Sequence, residues 1–130
     1  MTTVTPHADH HTGLGPLASR YVEVDDLPWT PTKFAGFEIK VLMENKETGL
    51  LTALLRCAPG ARLPYHEHTD IEQTFVLEGS LADEEGEVTA GNYVWRPAGS
   101  RHDAWTPNGA LVLSFFLRPN RFLDGDEAEG

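Results

Sequence analysis

Basic residues are scarce in this chain. Ten Lys and Arg stand against twenty Asp and Glu, for a formal net charge of −10 over 130 residues. Nucleic-acid backbones are bound by cations that displace counterions, so nucleic acid is not an expected partner. Anionic membrane surfaces are disfavoured on the same ground. Cysteine is nearly absent. The single Cys57 rules out an internal disulfide framework and any Cys-Cys zinc ribbon, and it reads as a small core residue. No apolar run approaches a membrane span, and the opening MTTVTPHADHH lacks a basic-then-apolar signal pattern. A cytoplasmic location is the resulting expectation. Also missing is any helical period: no stretch keeps apolar residues on one helical face for several turns.

What remains is a succession of short apolar segments divided by Gly and Pro. Phe37 to Met43, Leu50 to Cys57, Leu63 to His68, Ile71 to Leu77, Tyr93 to Arg96, His102 to Thr106 and Leu111 to Leu117 read as strands, with Gly79 ending the fourth. Tyr21 to Val24 alternates like a shorter one. Asp83-Glu84-Glu85-Gly86 marks a tight hairpin, and Pro107-Asn108-Gly109 a turn. Hydrophobic content is 40%, ordinary for a globular protein, and the length suits one domain. The expected class is all-β, a barrel or sandwich. Residues 1–20 read as a flexible arm, 21–120 as the β-barrel domain, and 121–130 as an acidic tail. His7, His10 and His11 in the arm read as adventitious.

Within this pattern two segments carry chemistry. They are Gly60-x5-His66-x-His68-x3-Glu72-x6-Gly79 and Gly91-x5-Pro97-x-Gly99-x2-His102. Residues i and i+2 of a strand share a face, so His66 and His68 point together. Glu72 can open the return strand, and His102 follows a Pro-x-Gly turn that brings another strand back. Three imidazoles and a carboxylate are donors for a borderline divalent transition metal rather than magnesium or calcium. An isolated HxH is more often a surface or satisfied core pair; the joint pattern is what argues for a metal.

These segments resemble the paired motifs of the cupin superfamily at every position but the last, where Thr106 replaces the usual Asn. Leu27-Pro28-Trp29, Gly49 to Leu55, Pro59-Gly60-Ala61, Phe75 to Gly79, Asp83-Glu84, Gly91 to Val94 and Pro97 to Ser100 resemble the ChrR-type cupin-like family. That resemblance runs from about Asp26 to Leu117. It implies a single-domain cupin, a double-stranded β-helix or jelly-roll barrel, with one metal held by His66, His68, Glu72 and His102. The family's stand-alone members are similar to dioxygenases that cleave diketones and hydroxyacetophenones. An anti-sigma role is not implied, because the chain lacks room and cysteines for the zinc module.

The implied function is a mononuclear non-haem dioxygenase acting on a small ketone or diketone-like molecule. Fe(II) is the favoured metal, with Zn, Mn or Ni compatible with the same donors. Expected wall residues of the substrate pocket are Tyr65, Phe75, Trp95, Trp105 and Phe115. Arg96, Arg62 or Arg101 could steady an anionic substrate. Two other readings stay open: a metal-binding regulatory or ligand-sensing module without turnover, and a metal-assisted isomerase or hydrolase using Glu67 or Glu72 to move protons. Exposed sheet edges or faces, with the N-terminal strand lying across a partner, would favour a homodimer.

Overall fold

The computed structural model describes residues 3–123. Eleven strands form its frame: β1 (Thr3–Val4), β2 (Thr30–Pro31), β3 (Phe37–Asn45), β4 (Leu50–Cys57), β5 (Arg62–Glu67), β6 (Glu72–Asp83), β7 (Gly86–Thr89), β8 (Tyr93–Arg96), β9 (Arg101–Trp105), β10 (Ala110–Phe116) and β11 (Arg121–Phe122). Two short 3-10 turns, Asp9–His11 and Val24–Asp26, are the only helical pieces among the described residues. All strand pairing is antiparallel, in the order β1-β3-β4-β10-β6-β9-β5-β11, with β2 on β3 and β7 and β8 on β6. The sheet curls on itself. This is the jelly-roll cupin fold.

β6 is the hinge of the architecture. Its first half pairs with β8 and β10, its last four residues with β7, and Ala82 reaches Trp105 of β9. The strand passes from one side of the barrel to the other at Gly79, after a register shift opposite Leu111 and Val112. A bulge bends and twists a strand, and glycine permits the close approach. Gly79 has φ +72°, and a Cβ there would overlap the carbonyl oxygen of Gly109. The expectation that Gly79 ends its strand is therefore corrected: it bends the strand and lets it continue to Asp83.

Alternation then decides which side chains enter the barrel. Phe37, Cys57, Val76, Ala110 and Val112 are buried together, with Phe34, Leu55, Leu63 and Leu81 packed against them. Burial pushes the Cys57 thiol up to about 12, so it is inert, as befits a core residue.

The sheet also extends past both expected domain boundaries. Thr3 and Val4, assigned to a flexible arm, pair with Asn45 and Glu44, and Thr5 donates to the Leu42 carbonyl at 2.7 Å. At the other end Arg121 and Phe122 pair with Glu67 and His66. Most of the expected acidic tail, residues 124–130, lies outside the described residues. Tyr21 to Val24 is not a strand. Tyr21 is exposed, and its carbonyl is met by the rings of His10 and His11 at 2.8 and 2.7 Å. Its alternation had no sheet to join.

Candidate metal centre

His66 is the last but one residue of β5, His68 follows one residue beyond the strand, and His102, the second residue of β9, pairs directly with His66. All three are buried, and one ligand nitrogen from each lies within 4.8 Å of the other two. The His66 ring centroid is 5.0 Å from that of His68 and 4.6 Å from that of His102. Glu72, the first residue of β6, stands beside this triplet with Oε2 3.1 Å from His68 Nε2.

Hydrogen bonding fixes the state of each ring. His66 Nδ1 lies 2.7 Å from the Pro64 carbonyl, which can only accept, so Nδ1 carries the proton. His102 Nδ1 lies 3.0 Å from Asp83 Oδ2, also an acceptor. Ser100 spends its hydroxyl proton on the Pro97 carbonyl, so its oxygen accepts from His68 Nδ1 at 3.0 Å. Every Nδ1 is thus a donor, which leaves Nε2 as the ring nitrogen available to a metal. Two of these rings are kept uncharged. Burial, with the Arg96 charge and the neighbouring His66 ring, pulls His102 down to about 4, and burial likewise lowers His66. His68 Nε2 is buried 3.1 Å from Glu72 Oε2 without a well-formed hydrogen bond. Buried acceptors pointing at one another without a donor are costly, and a shared cation removes that cost. The residues present fit a divalent transition metal.

The supporting groups reinforce that fit. Asp83 lies in the hairpin between β6 and β7, where its Oδ1 accepts the backbone N–H groups of Glu85 and Gly86. Its Oδ2 takes both His102 and an Arg96 Nη1. Burial would raise the Asp83 carboxyl, but these donors outweigh it and hold the group below its ordinary value. Glu72 behaves the same way. Burial raises its carboxyl, and the adjoining His68 and His66 rings and the Asn120 amide, 3.3 Å away, lower it by more. A carboxylate beside three imidazoles is a donor set that a divalent metal takes.

Beside the histidines lies a cavity of about 320 Å³. Its walls include Phe34, Phe37, Leu55, Leu63, Leu81, Val112, Phe116 and Phe122, with His66, His102, Glu72, Arg96, Thr74, Ser114 and Asn120 among them. That size and mixture suit a small ligand held by few polar groups. Of the pocket residues expected from sequence, Arg96 lines the cavity. Tyr65, Phe75, Trp95, Trp105 and Phe115 do not. Each sits one position out of step with an inward neighbour: Tyr65 beside His66, Phe75 beside Thr74 and Val76, Trp95 beside Arg96, Trp105 beside Ala104, Phe115 beside Ser114. Trp105 instead lies under the Arg62 guanidinium on the outside, 4.7 Å from its centroid. Arg62 pairs with Asp103, Arg101 with Glu67, and neither lines the cavity. Glu67 accepts from Arg101 and Arg121 and takes no part in the site.

Sequence reading missed Asp83, Ser100 and Asn120 as supports. Ser100 follows the Pro-x-Gly turn and was within reach of attention. Asp83 and Asn120 act across the fold, and no local spacing marks them.

Residues 17–120 match the family model of the ChrR cupin-like domain. The chain belongs to the ChrR cupin-like family. Its fold is shared with a protein of Methylibium petroleiphilum PM1 provisionally assigned as an acetylacetone dioxygenase (TM-score 0.77, 24% identity, 90% of this chain and 89% of that one). It is shared too with an acetylacetone dioxygenase from Acinetobacter johnsonii (TM-score 0.72, 23% identity, 85% and 81%). A third likeness is to the complex of Rhodobacter sphaeroides SigE with the anti-sigma ChrR (TM-score 0.61, 23% identity, 72% and 51%). At these identities the likenesses establish the fold. Comparison with curated proteins gives no match.

Proposed function

We propose that this cupin is a mononuclear non-haem dioxygenase acting on a small ketone or diketone-like molecule, with Fe(II) held by His66, His68, His102 and Glu72. The observation that carries this reading is the convergence of three buried imidazoles, each tied through Nδ1, with the Glu72 carboxylate beside them. When bound, ferrous iron supplies activation of dioxygen next to an enolisable substrate, which redox-inert zinc does not. Manganese and nickel suit the same donors.

The chain's own residues supply the rest. Pro64, Ser100 and Asp83 orient the three rings, and Asn120 steadies Glu72. Phe34, Leu55, Leu63 and Phe122 exclude water from the cavity. Arg96, anchored on Asp83, sets a positive charge where an enolate oxygen of the substrate would carry negative charge. A small ketone in an apolar cavity, reached from the cytoplasm where one free thiol stays reduced, is consistent with all of these features.

The test is metal analysis of anaerobically purified protein followed by oxygen-electrode measurements on a panel of β-diketones and hydroxyketones. Iron near one equivalent, oxygen uptake with at least one panel member, and none from the zinc-loaded protein are expected. Bound zinc with tight ligand binding and no turnover would make this a sensing module. Product formation under strict anaerobiosis would make it an isomerase or hydrolase.

A further inference from the structure

The inner faces of β6, β8 and β10 bring four polar side chains together. Glu72 pairs across the sheet with Arg96 of β8, and Thr74 with Ser114 of β10, so all four stand side by side on the cavity wall. Three of them already have partners. Glu72 stands at the histidines and accepts from Asn120, while Thr74 and Ser114 share a hydrogen bond of 3.0 Å. Arg96 is only half engaged. Its Nη1 donates to Asp83 Oδ2, and its Nε is buried with no acceptor among the described residues. In a planar guanidinium Nε and Nη2 form one edge, whose two parallel N–H bonds match the oxygens of a carboxylate. Asp83 takes Nη1 and leaves that edge open. A buried charged donor without an acceptor is costly, and an anionic ligand removes the cost.

Charge around the cavity runs against that of the chain. The formal charge is −10 overall, yet Lys33 and Arg96 line the cavity against the single carboxylate of Glu72. Lys33 makes no ion pair among the described residues and lies over the Phe34 and Phe122 rings, at 5.5 and 5.6 Å. The cavity also lacks a free base. His66, His102 and Glu72 are committed to the metal, and the Cys57 thiol is held up at about 12. A neutral diketone has to lose a proton before it carries charge, whereas a carboxylic acid arrives ionised at neutral pH. Building on the reading of this site as a ketone dioxygenase, we infer that its substrate is a short oxo acid, a β-diketone bearing a carboxylate as in an acylpyruvate, with that carboxylate held on the Nε–Nη2 edge of Arg96. The negative charge opposite Arg96 is then permanent and does not wait for enolisation. Arg96 is the residue that selects the acid over a neutral ketone.

Acetylpyruvate and its methyl ester test this, because the ester keeps the diketone and loses the charge. Isothermal titration into zinc-loaded protein reads binding alone, since zinc is redox-inert. The acid is expected to bind roughly 10- to 100-fold more tightly than the ester. Arg96→Gln is expected to abolish that difference by weakening the acid and not the ester. Equal affinities in the wild type would overturn the inference, whether or not the variant folds. An acid preference that survives in Arg96→Gln would overturn it too, because the metal alone would then account for it. Oxygen uptake by the iron-loaded protein separates this inference from the reading beneath it. Preferential binding of the acid without uptake removes the dioxygenase and keeps the carboxylate site. Uptake as efficient with the ester as with the acid keeps the dioxygenase and overturns the carboxylate site.

Discussion

At the residue scale the decisive features are protons. Each imidazole of the triplet is a defined tautomer because its Nδ1 faces an atom that cannot donate. Asp83 carries the greatest share of this work, since it also anchors Arg96. Asp83→Asn keeps the shape and an acceptor but removes the charge that balances both partners. Metal affinity is expected to fall 10- to 100-fold, measured by competition with a chromogenic chelator. The rings also set a pH response. His66 and His102 bind protons less readily folded than unfolded, so the unfolded chain takes up protons first as pH falls below about 6.5. The urea midpoint of the metal-free protein should drop from there toward pH 4, where His102 itself titrates. Glu72 and Asp83 have lowered values, so their contribution is kept above the ordinary carboxylate range and is lost only at still lower pH. An unchanged midpoint between pH 7.5 and 5 would show that these rings are not held neutral.

The histidines themselves were legible because metal spacing follows the strand period: His66 and His68 must share a face wherever the strand lies. Asp83 was not, since its meeting with His102 depends on a hairpin folding over a strand that arrives 19 residues later. The same holds for Asn120 and Glu72, 48 residues apart.

Elements were legible in proportion to their length. The long alternating runs of β3, β4, β6 and β10 declared themselves, while β1, β2 and β11, two residues each, have no period to read. Alternation announces two faces without saying which is inward. Trp95 and Phe115 are expected from sequence as walls of an apolar cavity, whereas the parity set by buried Ser114 and by cavity-lining Arg96 places them outside. Gly79 shows the limit of punctuation. It combines positive φ with a contact on the Gly109 backbone, neither of which can yield. Gly79→Ala is expected to destabilise by more than about 2 kcal/mol in urea denaturation, against a few tenths for a terminating glycine in open space.

For the whole molecule, the metal sets the behaviour. A site of uncompensated acceptors is completed by a cation, so metal binds the folded chain and not the unfolded one. Removing it with a chelator should lower the melting temperature by on the order of 10 °C, read by calorimetry with and without one equivalent restored.

Nitrogen-15 spectra of the histidine rings, taken as Zn(II) is titrated into metal-free protein, report on the three Nε2 atoms one by one. Saturation at one equivalent is expected, with the Nε2 resonances of His66, His68 and His102 all moving and their Nδ1 atoms staying protonated. Rings that bind through Nδ1, or fewer than three that respond, would contradict the site described above.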